Sequence, residues 1–284
     1  MHAHVNGVRL FFDVSGPLVV PDGNVTGERR SIILLHGGPG MDHMVFKPAF
    51  DALAGHAQVI YVDHRGCGRS DAALASTWRI EQWADDVAEL VSYLGVHRPI
   101  VLGTSFGGFV AQRTVAKYPA VFSGLVLMST TARAAVVALC EAMGRLGGSA
   151  ARNAARAFFS DASEPGVVER YFETCLRYYT FGQLDASAIA RVRINRDVMI
   201  HFFGHGGEFY DFDLRNDVAG ITAPTLVVHG RNDPVFPPAC AEELLAHLHC
   251  ERKRLVYLEN CSHLSEQDAP DMIVNSIIDF FGLR

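Results

Sequence analysis

Three short groups of residues have the types and spacing for nucleophilic chemistry. Gly103-Thr104-Ser105-Phe106-Gly107, followed by Gly108, has the form G-x-S-x-G. A serine hydroxyl is a weak nucleophile until a base takes its proton, and the base needs an orienting partner. Asn232-Asp233-Pro234 offers a carboxylate, and Asn260-Cys261-Ser262-His263 offers an imidazole. A serine in this pattern stands on a sharp strand-to-helix turn, an elbow, and serine, acid and histidine follow one another in the chain order expected around it. The groups predict Ser105 as nucleophile, His263 as general base and then acid, and Asp233 as its orienting carboxylate. That chemistry passes through an acyl-enzyme and calls for no metal and no organic cofactor.

Other candidates are placed less well. His229 lies inside an apolar run and reads as a packed strand residue, His247 and His249 fall on or near a helix, and His201 and His205 lie in a helical stretch. Asp213 and Asp217 are alternatives for the acid, but neither directly follows a strand. The developing oxyanion needs two backbone N–H groups. One comes from Phe106, after the nucleophile. The other comes from His36-Gly37-Gly38-Pro39-Gly40, with Gly38 the first choice and Gly37 the next. This loop lacks the Lys-Ser/Thr of a phosphate loop and the spacing of a dinucleotide loop.

The elements that must position these residues are visible as a rhythm. SIILL (31–35), QVIYV (58–62), PIVLG (99–103) and GLVLMS (124–129) are short continuous apolar runs. Helix-like segments at 45–54, 80–95 and 106–118 alternate with them. That pattern predicts parallel strands buried on both faces. A strand at 8–14 precedes them, and 17–30 reads as a hairpin tip or surface loop. The rhythm stops near 131. Residues 134–203 hold several helix-like segments and no convincing strand. It resumes with a strand at 225–230, a helix at 238–248, a strand at 253–258 and an amphipathic helix at 270–281.

Composition bounds the partners. The 284 residues are 49% hydrophobic and 20% charged, so disorder is excluded as the main state. A formal charge of −6 argues against nucleic acid. No run of 18 apolar residues predicts a membrane helix, and the first residues lack the pattern of a secretory signal. The six scattered cysteines read as reduced thiols. The expectation is a cytoplasmic protein with a small-molecule or short-peptide substrate, no nucleic acid and no membrane. Homo-oligomerisation stays open.

HGGPG at 36–40, DHRGCGRS at 63–70, GTSFGG at 103–108, GRNDPVFP at 230–237 and CSHL at 261–264 resemble the α/β-hydrolase superfamily and, within it, the proline iminopeptidase branch. The resemblance implies an α/β fold with a mostly parallel central sheet flanked by helices. It implies a helical cap inserted after the sixth strand, with core segments 1–131 and 214–284 and a cap at 132–213. The Asp63–Ser70 stretch would shape a tight turn beside the oxyanion loop. An aminopeptidase must hold a substrate ammonium with carboxylates. Glu208 stands where the resemblance places a cap glutamate. Pro234 stands where some relatives carry a second one, which is a departure. Glu208, Gly37, Phe203 and Phe209 are therefore the expected substrate-binding residues. Phe181, Phe202, Tyr178 and Tyr179 either join an apolar pocket or pack the cap. An aminopeptidase on small peptide or amide substrates is the first expectation. A carboxylesterase or lactonase with the same triad is the second, and a non-catalytic binding protein is disfavoured by the complete triad.

Overall fold

The continuous apolar runs become the middle of an eight-stranded sheet. The protein is described by a computed structural model over residues 1–283. Its strands are β1 (His2–Val5), β2 (Val8–Ser15), β3 (Val19–Asp22), β4 (Val25–Glu28), β5 (Ser31–Leu35), β6 (Gln58–Val62), β7 (Ile100–Thr104), β8 (Gly124–Met128), β9 (Thr225–Gly230) and β10 (Lys253–Leu258). The large sheet has the order β1-β2-β6-β5-β7-β8-β9-β10, and β3 and β4 form a separate hairpin. From β6 to β10 all neighbours are parallel, while β1 and β2 add antiparallel edge pairs.

Strand residues alternate between the two faces of the sheet. Ile33, Leu35, Val101 and Leu127 pack into one apolar layer. Ile32, Leu34, Leu102 and Val126 pack into the other. The first layer is covered by α1 (Ile80–Leu94) and α2 (Phe106–Lys117). Five helices follow between β8 and β9: α3 (Val136–Phe158), α4 (Val167–Cys175), α5 (Ala186–Arg191), α6 (Arg196–Phe203) and α7 (Arg215–Gly220). The chain then adds α8 (Pro238–His247), α9 (Ser265–Asp268) and α10 (Pro270–Phe281). In chain order β8 is the sixth strand of the large sheet, so the helical segment enters where the resemblance implies. Its ends are drawn together where Leu214 N–H donates to Ala132 O at 2.7 Å.

Two local readings change, and a third narrows to one of its alternatives. Residues 45–54 form no α-helix. Two 3₁₀ turns, His43–Phe46 and Asp51–Gly55, stand there instead, with Pro48 between them lacking the N–H a helix would use. The 17–30 stretch is the β3–β4 hairpin. The edge strand β1 was not expected from the sequence; it pairs with β2 across Asn6-Gly7, a dipeptide suited to a tight hairpin turn. Among the described residues no helix is long and apolar enough to cross a membrane. All six cysteines are buried and unpaired.

Candidate active site

The strand order fixes where chemistry can gather. The chain runs from β5 to β6 on one side, then crosses to β7 on the other. Where the order reverses, the ends of neighbouring parallel strands open a crevice. The loops leaving β5 and β7 meet there, carrying Gly37, Gly38 and Ser105.

Ser105 adopts φ +52° and ψ −118°, a conformation that costs energy for a residue with a side chain. Its neighbours make this conformation fit. A Cβ on Gly103 would overlap the Gly107 carbonyl, and a Cβ on Gly107 would overlap the carbonyl of Leu35 in β5. Thr130 Oγ1 donates to Ser105 O at 2.7 Å, and Ser105 N–H donates to Met128 O at 2.9 Å. Below the elbow, Phe106 meets Trp83 edge-to-face at 4.9 Å and Phe202 of α6 at 5.2 Å. A Cβ on Gly37 would lie only 3.1 Å from Ser105 Cβ, so glycine lets the two loops close up.

Three of the sequence-predicted residues come together. His263 Nε2 lies 3.1 Å from Ser105 Oγ, and His263 Nδ1 lies 2.9 Å from Asp233 Oδ2. The other oxygen of Asp233 accepts from the N–H groups of Val235 (2.8 Å) and Phe236 (2.9 Å). Burial alone would raise the Asp233 carboxyl. Its histidine neighbours and these hydrogen bonds outweigh burial and hold it below the usual carboxylate range. His229 is a packed strand residue, as expected. Its Nε2 is 2.7 Å from Phe236 O, and burial lowers its ring below the ordinary histidine value. A neutral His229 donating there supports the loop that holds Asp233.

The oxyanion candidates sit beside the serine. Phe106 is the first residue of α2, so its N–H has no partner within the helix. Gly38 takes φ +55°, and Met41 N–H donates back to its carbonyl at 2.9 Å. His36 fixes this loop from behind: its Nε2 accepts the His64 N–H at 3.2 Å, and its Nδ1 lies 3.0 Å from Gly37 O.

A pocket opens over Ser105 and His263. Gly37, Gly38, Phe106 and Phe203 line it, with Tyr179, Phe158, Phe159 and Ile189 from the helical segment. Two expected substrate contacts are not among the lining residues. Glu208 Oε2 accepts the Ile80 N–H at 2.8 Å, at the first turn of α1. It is a helix cap from a distant segment, and burial raises its carboxyl above the ordinary glutamate value. Phe209 is buried in the apolar layer, 4.8 Å from Phe203 and 5.6 Å from Phe212. Of the other aromatics, Tyr179 lines the pocket and meets His263 edge-on at 5.2 Å, whereas Phe181 is exposed. Sequence reasoning missed Glu266 on α9, a buried glutamate that lines this pocket. Its only sequence signal is its place three residues beyond His263.

Among the described residues, one group has spacing suited to a metal ion: Asp42, His43 and Asp63. Its donors are already used within the protein. Asp63 accepts from the His43 N–H and ring and from the Arg69 N–H, and Asp42 accepts from Met44 N–H and pairs with Arg69. These bonds clamp the 63–70 turn against the loop after β5.

The chain belongs to the alpha/beta hydrolase fold family, whose model matches residues 30–267. It is similar to a proline iminopeptidase of Saccharolobus solfataricus, 26% identical over 282 residues that cover 90% of this chain and 86% of that protein. Among solved structures, VinJ superposes with a TM-score of 0.80 at 23% identity, covering 100% of this chain and 98% of that one. An enol-lactonase from Burkholderia xenovorans superposes with a TM-score of 0.68 at 25% identity, covering 99% and 100%.

Proposed function

We propose that this hydrolase-fold protein is a serine hydrolase working through an acyl-enzyme. The observation that carries the reading is the Ser105–His263–Asp233 chain of hydrogen bonds at the floor of the pocket. Ser105 Oγ attacks the substrate carbonyl while His263 Nε2 takes its proton. Asp233 holds the ring with Nδ1–H toward itself and stabilises the imidazolium. The N–H groups of Gly38 and Phe106 receive the oxyanion. His263 then protonates the leaving group and activates the water that releases the acyl portion.

The first substrate reading is an aminopeptidase of the proline-iminopeptidase type, acting on small amides and short peptides. The motifs and the Saccharolobus relative support it. The helical segment between β8 and β9 would serve as the cap over the site. A second reading, a carboxylesterase or lactonase, is favoured by the mainly apolar pocket lining and by Glu208 lying elsewhere. A panel of proline and alanine anilides, their N-acetyl analogues and acyl p-nitrophenyl esters separates the two. The aminopeptidase reading expects anilides with a free amine to outpace the blocked ones. Ester turnover without anilide hydrolysis would overturn it in favour of the second.

A further inference from the structure

Glu266 lines the pocket, and neither the triad nor a hydrogen bond to its Oε2 explains its burial there. It is 4% exposed, and its Oε2 has no hydrogen-bond partner. Leaving a carboxylate oxygen buried and unpaired is costly, so such groups call for an explanation. Burial pushes its carboxyl up to about 7. The charged groups that act on it are His263, which favours its ionised form, and Asp268 and Asp233, which oppose it. No lysine or arginine is among the described residues lining the pocket, and tyrosines 171 and 179 hydrogen-bond each other at 2.6 Å. A negative group entering the pocket would therefore meet a carboxyl and no cation. A positive group would complete an ion pair that the protein leaves half-built.

We propose that Glu266 is the charge-selecting residue of this site: it accepts a cationic nitrogen carried close to the substrate's reacting carbon, and it turns away anionic acyl groups. Glu208 cannot serve in this way, because it lies outside the lining and caps α1. The proposal rests on the serine-hydrolase reading and deepens it, by naming amines as the substrate class and the residue that receives them.

Two boronic acids of nearly equal shape test it. In each, Ser105 Oγ adds to boron and its proton passes to His263, giving a tetrahedral adduct with no group lost. Isopropylboronic acid probes Ser105 and His263 alone. 1-Aminoethylboronic acid places an ammonium where the other has a methyl group. Calorimetry on the wild type should show the amine bound roughly 10- to 100-fold more tightly, as a charge-assisted hydrogen bond implies. In Glu266→Gln that advantage should vanish while isopropylboronic acid binds as before. Glu266→Met, which removes the polar group altogether, should lose it too. Equal binding of the two acids by the wild type, or an advantage that survives in Glu266→Gln, overturns the proposal and leaves the serine-hydrolase reading standing. If neither acid binds the wild type even at millimolar concentration, that reading fails and the proposal falls with it.

Discussion

Ser105 sits at a positive φ with its hydroxyl on His263, and its removal should be felt in rate rather than in fold. Ser105→Ala should lower kcat/KM on the best panel substrate by roughly 10⁴- to 10⁶-fold with little change in melting temperature. Asp233→Asn should cost about 10⁴-fold, because the ring loses the partner that fixes its tautomer. Residual activity within 10-fold (roughly) of wild type in either variant contradicts the assigned roles. Glu266 makes a different prediction, about stability. Its carboxyl is raised by burial to about 7 in the folded state, against about 4.3 in an unfolded chain. Between those values the folded protein holds a proton that the unfolded chain has lost, so stability falls as pH rises through that window. Denaturant titrations at pH 5 and pH 8 should show wild type losing on the order of 2–3 kcal/mol from this group, and Glu266→Gln losing less. Equal slopes in the two proteins would remove the group from the account. The triad was legible because residue type, chain order and position after a strand all agree on it. Glu208 was misplaced because an acidic residue near a glycine pair looks the same whether it faces a pocket or caps a helix. Glu266 was invisible because Ser-Glu-Gln-Asp reads as an ordinary polar helix start.

Among the elements, the elbow leaves the least room. A methyl group on Gly107 would press against the Leu35 carbonyl, and neither backbone can yield without moving β5 or α2. Gly107→Ala should lower thermal stability by about 1–3 kcal/mol or more and reduce activity with it. A variant with unchanged melting temperature and full activity would show that the loops are looser than described. At the first turn of α1, Glu208→Ala removes a cap and should cost roughly 1 kcal/mol in denaturant titration. Its kcat/KM for an amine substrate should match wild type, and a rise in KM specific to free amines would restore Glu208 to the binding site. Strand and helix periodicities read well wherever burial is one-sided or complete, as at 225–230 and 270–281. They failed at 45–54, where apolar spacing resembles a helix but Pro48 and Gly55 break it into turns. They also passed over β1, whose four residues are too few to show alternation without the Asn6-Gly7 turn beside them.

For the molecule as a whole, one apolar layer runs from the sheet into the helical segment. Val101, Leu127, Phe106, Phe158, Tyr171 and Phe202 belong to it together. Calorimetric unfolding should therefore show a single transition, and two separated peaks would mean the helical segment melts alone. The same segment is also tied by hydrogen bonds to the loops that leave β5 and β6. Asn195 N–H donates to Gly40 O at 2.7 Å, and its side-chain amide donates to Gly66 O at 2.9 Å. A Cβ on Gly40 would overlap the Asn195 carbonyl. This junction has a practical meaning for anyone reshaping the pocket. Positions 40, 66 and 195 form a fixed hinge-pin, and a library that varies them will mostly sample broken proteins. Variation spent on Ala188, Ile189, Val192 and Ile194, which line the pocket from the chain just before that pin, changes the walls without disturbing the anchor.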